Sequence, residues 1–218
     1  MKNVLLLFCM ILWAAASAAQ AETQPQLQTS TQSSADDLQS FSAALSEIEK
    51  LRGEFVQRQF GEDGSTLLET TGRFSLLRPG YFSWEILAPD NQIIIADPQF
   101  LWQHDRDLET VTRRPISDGV QMAPLQILDG NEAALRQGFE VVKGTGSSFT
   151  LTPLQQDVGF RQLTVHLQGG LISSMDMRDS LDQRVEIVFS SLDADSDLKP
   201  ADFAFIPPPG ADLFYYDQ

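Results

Sequence analysis

From Gly53 onward the chain is a succession of short segments that alternate apolar and polar residues, each closed by a turn and most separated by nothing else. Alternation with a period of two puts successive side chains on opposite faces of a strand. Turns of two to five residues join antiparallel neighbours. The pattern predicts strands at Gly53–Phe60, Thr66–Leu77, Tyr81–Leu87, Asn91–Ala96, Phe100–His104 and Leu108–Arg113. After an interruption it resumes at Phe139–Lys143, Ser148–Thr152, Phe160–Gln168, Leu171–Arg178 and Gln183–Ser190, with a short strand at Phe203–Ile206 before a proline run. Arg78-Pro79-Gly80, Asp97-Pro98 and Gly169-Gly170 mark turns, because proline removes a ladder donor and glycine accepts unusual dihedrals. Such a chain builds one antiparallel sheet, and a sheet this long curls. Whether it closes is not written in the pattern.

Two stretches carry helical rather than strand spacing. Leu38, Phe41, Leu45, Ile48, Leu51 and Phe55 recur every three or four residues, which predicts an amphipathic helix over Asp36–Leu51. Ser34 and Asp37 form a weak capping box ahead of it. Met122–Gln137 breaks the strand pattern. There Pro124 can open one short helix and Asn131 can cap another.

The first residues have the composition of an export leader: Lys2, an apolar run from Val4 to Ala16, then small residues ending in Ala19-Gln20-Ala21. That run is shorter than the roughly 20 residues a spanning helix needs. Residues 1–21 are expected to be removed. Glu22–Ala35, rich in Gln, Thr and Ser, is expected to be a disordered lead-in, and residues 36–218 to form a single domain. The lone cysteine, Cys9, sits inside the leader after Phe8, out of position for lipidation, so the exported chain must fold without disulfides. The formal charge of −15 argues against nucleic acid and against electrostatic attachment to anionic membranes. A cationic partner surface remains compatible with it.

Candidate chemistry is thin. Gly144–Ser148 lacks the Gly-Lys-Ser/Thr ending of a phosphate loop and lies between two strands, so it reads as a hairpin turn. Asp193, Asp195 and Asp197 have the spacing of a calcium loop, but Leu198 and Ala204 occupy its glycine and glutamate positions. His104 and His166 have no ligand-like neighbours at helical spacing, and no nucleophile elbow is present. Asp105 and Asp107 flank Arg106 at a turn and read as surface pairing. The expectation is a protein without catalytic residues, metal or cofactor. The unusual feature is apolar: Phe74, Leu76, Phe82, Trp84, Ile86, Ile93, Ile95, Phe100 and Trp102 can be placed on one face by alternation. A single helix and a short insert must cover that face. The pattern fits both an ordinary core and a covered cavity for an apolar ligand.

The segment Gly72–Glu85 (Gly-Arg-Phe-Ser-Leu-Leu-Arg-Pro-Gly-Tyr-Phe-Ser-Trp-Glu), followed by Pro89, resembles the signature of the LolA family of outer-membrane lipoprotein carriers. Leu101-Trp102, Asp107–Thr112, Pro124–Leu128 and Phe203–Asp212 resemble further family segments in the same order, so the resemblance spans Asp36–Asp212. Ser83, Pro98 and His104 depart from common family residues. The resemblance implies an α+β fold: an incomplete (open) antiparallel β-barrel of about ten to eleven strands, with helices covering an apolar cavity. It implies a monomeric periplasmic chaperone that shelters the acyl chains of lipoproteins. Its implied partners are those lipoproteins, an inner-membrane ABC transporter that releases them and a LolB-like outer-membrane receptor. Other periplasmic lipid-binding proteins and lipid hydrolases are the alternatives. Arg78 corresponds to the arginine that bonds toward the lid and sets its open and closed states. Phe82 corresponds to an aromatic position tied to function. The other apolar residues named above would line the cavity.

Overall fold

The computed structural model describes residues 26–116, 127, 132–155 and 159–216. A helix, α1 (Gln26–Ser46), leads into β1 (Lys50–Phe60), β2 (Thr66–Leu77), β3 (Tyr81–Ala88), β4 (Gln92–Ala96), β5 (Phe100–Asp105) and β6 (Thr110–Pro115). A short helix, α2 (Glu132–Gly138), precedes β7 (Phe139–Lys143), β8 (Ser148–Pro153), β9 (Phe160–Gln168), β10 (Leu171–Asp179) and β11 (Arg184–Asp193). A 3-10 turn at Pro200–Phe203 and a last strand, β12 (Asp212–Tyr215), complete the order. The twelve strands form one sheet, ordered β12-β6-β5-β4-β3-β2-β1-β11-β10-β9-β8-β7. It is antiparallel throughout except for β12 on β6. Two meanders, β1–β6 and β7–β11, are joined where β1 pairs with β11, Phe55 opposite Phe189. The sheet does not close, and β7 and β12 are its two edges.

An open sheet leaves unpaired backbone groups at its edges, and these invite wrong pairings unless they are covered. At β7 the cover is α1. Gly144 and Leu154 show that even-numbered residues of β7 face β8, since the Gly144 N–H donates to Ser148 O and the Leu154 N–H to Gly138 O. The groups of Val141 and Lys143 therefore point outward. Ser34 Oγ donates to Val141 O at 3.3 Å, and the Asp37 carboxylate accepts from the Lys143 N–H at 3.0 Å. The two residues expected to cap a helix instead pin that helix to a strand edge, because α1 begins well before them. Leu38, Phe41 and Leu45 then turn inward, and the Phe41 ring lies 4.9 Å from that of Phe149.

Residues 26–35 of the expected disordered lead-in belong to α1. Extending a helix costs little once a packed turn has nucleated it, so Gln, a fair helix former, can continue it and Ser and Thr, weak ones, are carried along. At its other end the helix stops at Ser46 rather than Leu51. Ile48, Leu51 and Phe55 keep their three- and four-residue spacing into β1 and are all buried. The chain bends from helix to strand while presenting apolar residues to the same core, and periodicity does not register that bend. Phe203–Ile206 is a 3-10 turn and extended chain instead of a strand.

On the outer side of β2 and β3, facing away from α1, a carboxylate is taken out of water. Glu85 has a side chain only 9% exposed and bonds Arg73 on β2 and, at 2.8 Å, Arg106 in the β5–β6 turn. Burial raises its carboxyl pKa, and the bonds from Arg73 and Arg106 outweigh that, leaving it below the ordinary value of about 4.5. Arg106 also donates to Asn91 Oδ1, so the pair locks the β3–β4 and β5–β6 turns together. A carboxyl with a depressed pKa stabilises the fold above its unfolded value, and that contribution is lost as pH falls through the lower folded value. Glu85→Gln should therefore cost about 1–3 kcal/mol at neutral pH. In urea melts the gap to the parent should narrow below about pH 4.5. A gap independent of pH would refute the ion-pair assignment.

Candidate functional site

The face of the sheet under α1 is apolar and centred on aromatic rings. Opposed residues share a face, so the β2–β3 register of Phe74 with Trp84 and Leu76 with Phe82 places all four together. The Phe55 ring stacks on Trp84 at 3.7 Å, Phe74 lies 5.1 Å from Phe189, and Trp84 lies 6.3 Å from Phe189. The stack depends on Gly72, which faces Phe55 across the β1–β2 ladder. A Cβ at Gly72 would lie 2.1 Å from Glu85 O and 2.4 Å from the Phe55 ring. The absent side chain is the space through which Phe55 reaches β3. Leu38, Phe41, Leu45, Ile127 and Leu135 belong to the same continuous core as these rings.

The nine residues expected to share this face divide in two. Phe74, Leu76, Phe82, Trp84 and Ile86 lie on it, the first four buried and Ile86 half-buried. Ile93, Ile95, Phe100 and Trp102 lie on the opposite face. Trp84 is paired with Ile94 and Phe82 with Ala96, so Ile93 and Ile95 face away from them. Ile95 in turn faces Trp102, and Ala96 faces Leu101. The apolar side of the sheet thus changes over at β4. Towards α1, β5 and β6 show one buried apolar residue, Leu101, and otherwise Gln103, Thr112 and Arg114; away from it they show Trp102, Val111 and Arg113. β4 carries Ile93, Ile94 and Ile95 because it is covered on both sides.

The outer cluster is covered by the C-terminal segment. The Phe205 ring lies 5.3 Å from Trp102 and 5.8 Å from His104, and Phe203 lies 5.6 Å from Tyr81. The Arg113 guanidinium sits 4.4 Å from the rings of both Phe100 and Tyr215. Burial first, and the Arg106 charge second, hold the His104 imidazole below its ordinary pKa against the pull of Asp105. Phe100 and Trp102 are therefore structural residues of this second small core. Conversely Phe55, whose spacing continues that of the helix, and Phe189 and Ile94, which alternation did not single out, belong to the inner face. Phe189 alternates with Val185 and Ile187 in a late strand, and only the β1–β11 pairing brings it to Phe55.

Arg78 lies half-buried in the β2–β3 turn, at the end of the sheet where α1 enters β1, and its backbone N–H donates to Glu49 O at 2.8 Å. Most of the Met122–Gln137 insert, residues 122–126 and 128–131, lies outside the described residues, and so does any bond from Arg78 to those residues. Of that insert, Ile127 is fully buried in the inner core and α2 contributes buried Leu135. The residues 1–21 expected as a leader also lie outside the described set. Among the described residues no group of three or more His, Cys, Asp or Glu could hold a metal ion, and no helix is long and apolar enough to cross a membrane. Among the described residues the buried polar side chains are Ser42, Thr70, Glu85, Ser148 and Ser196, and Glu85 is turned to the outer face by its ion pairs.

A long sheet with one helix-covered apolar face is a frame suited to apolar ligands. The comparisons agree with that reading. The family described as outer membrane lipoprotein carrier protein LolA matches residues 46–206. Outer-membrane lipoprotein carrier proteins are similar over most of the chain. That of Pseudomonas putida is 32% identical over 81% of this chain and 87% of its own length. That of Chromohalobacter salexigens is 32% identical over 78% and 83%. An uncharacterized conserved protein from Thermus thermophilus shares the fold at 14% identity, with a TM-score of 0.50, over 85% of this chain and 99% of that one. The chain belongs to the LolA family of outer-membrane lipoprotein carrier proteins.

Phe55→Ala should remove about 3–5 kcal/mol of stability. It should also shift Trp84 emission to the red, read by urea unfolding followed through tryptophan fluorescence. A loss under about 1 kcal/mol would show that the stack does not organise the inner face.

Proposed function

We propose that this protein is a periplasmic carrier that accepts acylated lipoproteins from an inner-membrane ABC transporter, shelters their acyl chains and passes them to a LolB-like outer-membrane receptor. It binds and hands over its cargo and carries out no turnover. The observation that supports this most is the inner face itself: aromatic and aliphatic from β1 to β3 and from β7 to β11, and covered by few helical residues. Each methylene removed from water is worth about 0.8 kcal/mol, so three acyl chains carry some tens of kcal/mol of gross insertion energy. Such a cargo cannot cross water unaccompanied.

A carrier must also let go. The chains are to enter between the sheet and its helical cover, against Phe74, Leu76, Phe82, Trp84 and Ile86. The cover must lift to admit them, and the cost of lifting it makes the loaded state easier to discharge. Arg78 stands at the end of the sheet suited to hold that cover, and a charge-assisted hydrogen bond from it would contribute about 1.5–3 kcal/mol. Ile93, Ile95, Phe100 and Trp102 form no part of this proposed site, because their side chains serve the outer core.

Added to spheroplasts, the exported chain should leave with lipoproteins whose acyl chains are intact. Failure to recover any, while a known carrier does, would overturn the reading. With lipoprotein loaded, Arg78→Leu should change transfer to the receptor by about tenfold or more, the equivalent of a 1.5 kcal/mol bond. Unchanged transfer would remove Arg78 from the switch and leave the carrier role standing.

A further inference from the structure

The six leucines Leu67, Leu68, Leu87, Leu108, Leu154 and Leu181 are between 41% and 77% exposed. Single exposed leucines need no explanation, but grouped ones do. All six lie at one end of the sheet, at or beside the tips of the β1–β2, β3–β4, β5–β6, β8–β9 and β10–β11 hairpins. Each of those five hairpins carries at least one. The turns themselves at the other end, at residues 78–80, 97–99, 144–147 and 169–170, carry no exposed leucine, and the exposed apolar residues near them are Val142 and, on the β12 edge, Tyr215 and Tyr216. Hairpins that neighbour each other in the sheet are about 10 Å apart. The leucines therefore form a row along the rim from β6 to β8, at the end opposite Arg78.

The middle of this row is recessed. A groove of about 490 Å³ opens between the β1–β2 and β10–β11 tips, lined by Phe60, Leu181 and Arg184 among others. Leu181 lines it, and Leu67 and Leu68 follow in β2 just beyond its Gly61–Gly64 wall. Its cations are already engaged: Arg184 bonds Asp176 and Glu186, and Arg178 donates to Asp182 O. The surrounding tips carry Glu62, Asp63, Asp90, Asp107, Glu109 and Asp182. Asp63 is held below the ordinary carboxylate range chiefly by the Ser65 hydroxyl and N–H. The rim is thus apolar knobs set in negative charge. That charge repels an anionic bilayer and a second copy of the same rim. It complements a protein surface whose apolar pockets are framed by Lys and Arg.

We infer that this leucine rim is a docking surface for a protein partner with a basic, apolar face, at the end of the sheet opposite Arg78. The test uses the whole exported chain and two labelled probe peptides of one amphipathic helical design, one of Leu and Lys, the other of Leu and Glu. The Leu/Lys peptide should bind, more weakly as salt rises, and the Leu/Glu peptide should not. Leu67→Ser/Leu108→Ser/Leu181→Ser changes no charge and should weaken binding about tenfold or more. Val188→Ser, an exposed apolar residue away from the rim, should leave it unchanged. Glu62→Lys/Asp90→Lys supplies an independent arm and should weaken it as well. Equal binding by the rim variants, equal binding of both peptides, or capture by phosphatidylglycerol vesicles in place of the peptide would each overturn the proposal. The rim variants should still release lipoproteins from spheroplasts, so its failure is distinct from failure of the carrier reading.

Discussion

An open sheet of twelve strands has two edges, and the rest of this protein depends on covering the one at β7. Ser34 and Asp37 meet the outward backbone groups of Val141 and Lys143, and in doing so they fix α1 over the apolar face. The same contact answers two needs. It blunts an edge that would otherwise pair with another chain. It also positions Leu38, Phe41 and Leu45 as the cover of a surface that one sheet cannot bury by itself. Because the cover is helical and α1 is tethered through an edge strand, rather than forming part of a second sheet, its separation from the face breaks no strand pairing. That mechanical property is what a reversible carrier of lipid chains requires.

The inner face is ordered around a missing side chain. Gly72 lets Phe55 lie across β2 and stack on Trp84, and Phe74, Phe82 and Phe189 are arranged around that pair. Rings stacked edge and face in this way contribute beyond the area they bury. On the outer face the Glu85 ion pairs and the Arg113 ring contacts hold the turns and the C-terminal segment in place. The inner face is thus held by apolar contact alone, and the outer adds charge and cation–ring attraction to its smaller apolar core.

Much of the fold was legible because its signals are local. Period-two alternation located eleven of the twelve strands to within a few residues, and turn residues located their ends. The miss was the last strand. Phe203–Ile206 has strand-like residues but is drawn down as a turn and extended segment onto Tyr81 and Trp102, while Asp212–Tyr215 pairs with β6 across a long separation that no local pattern encodes. The start of α1 was missed for a related reason, since packing against β7 decides it more than composition does.

What the sequence by itself determined is the kind of object this is: an antiparallel sheet built of adjacent hairpins, with one amphipathic helix, family motifs in order from Gly72 to Asp212 and no assembled catalytic signature. What only the tertiary structure decided is which apolar residues face the helix. Three consecutive isoleucines, Ile93 to Ile95, erase the alternation that would mark a face. The parity of the flanking strands then depends on turn length, and a shift of one residue sends every following side chain to the other side. The register of β3, β4 and β5 placed Phe82, Trp84 and Ile94 inside and Ile95, Phe100 and Trp102 outside. Backbone pairing settled a question that hydrophobicity, equal on both sides of β4, could not.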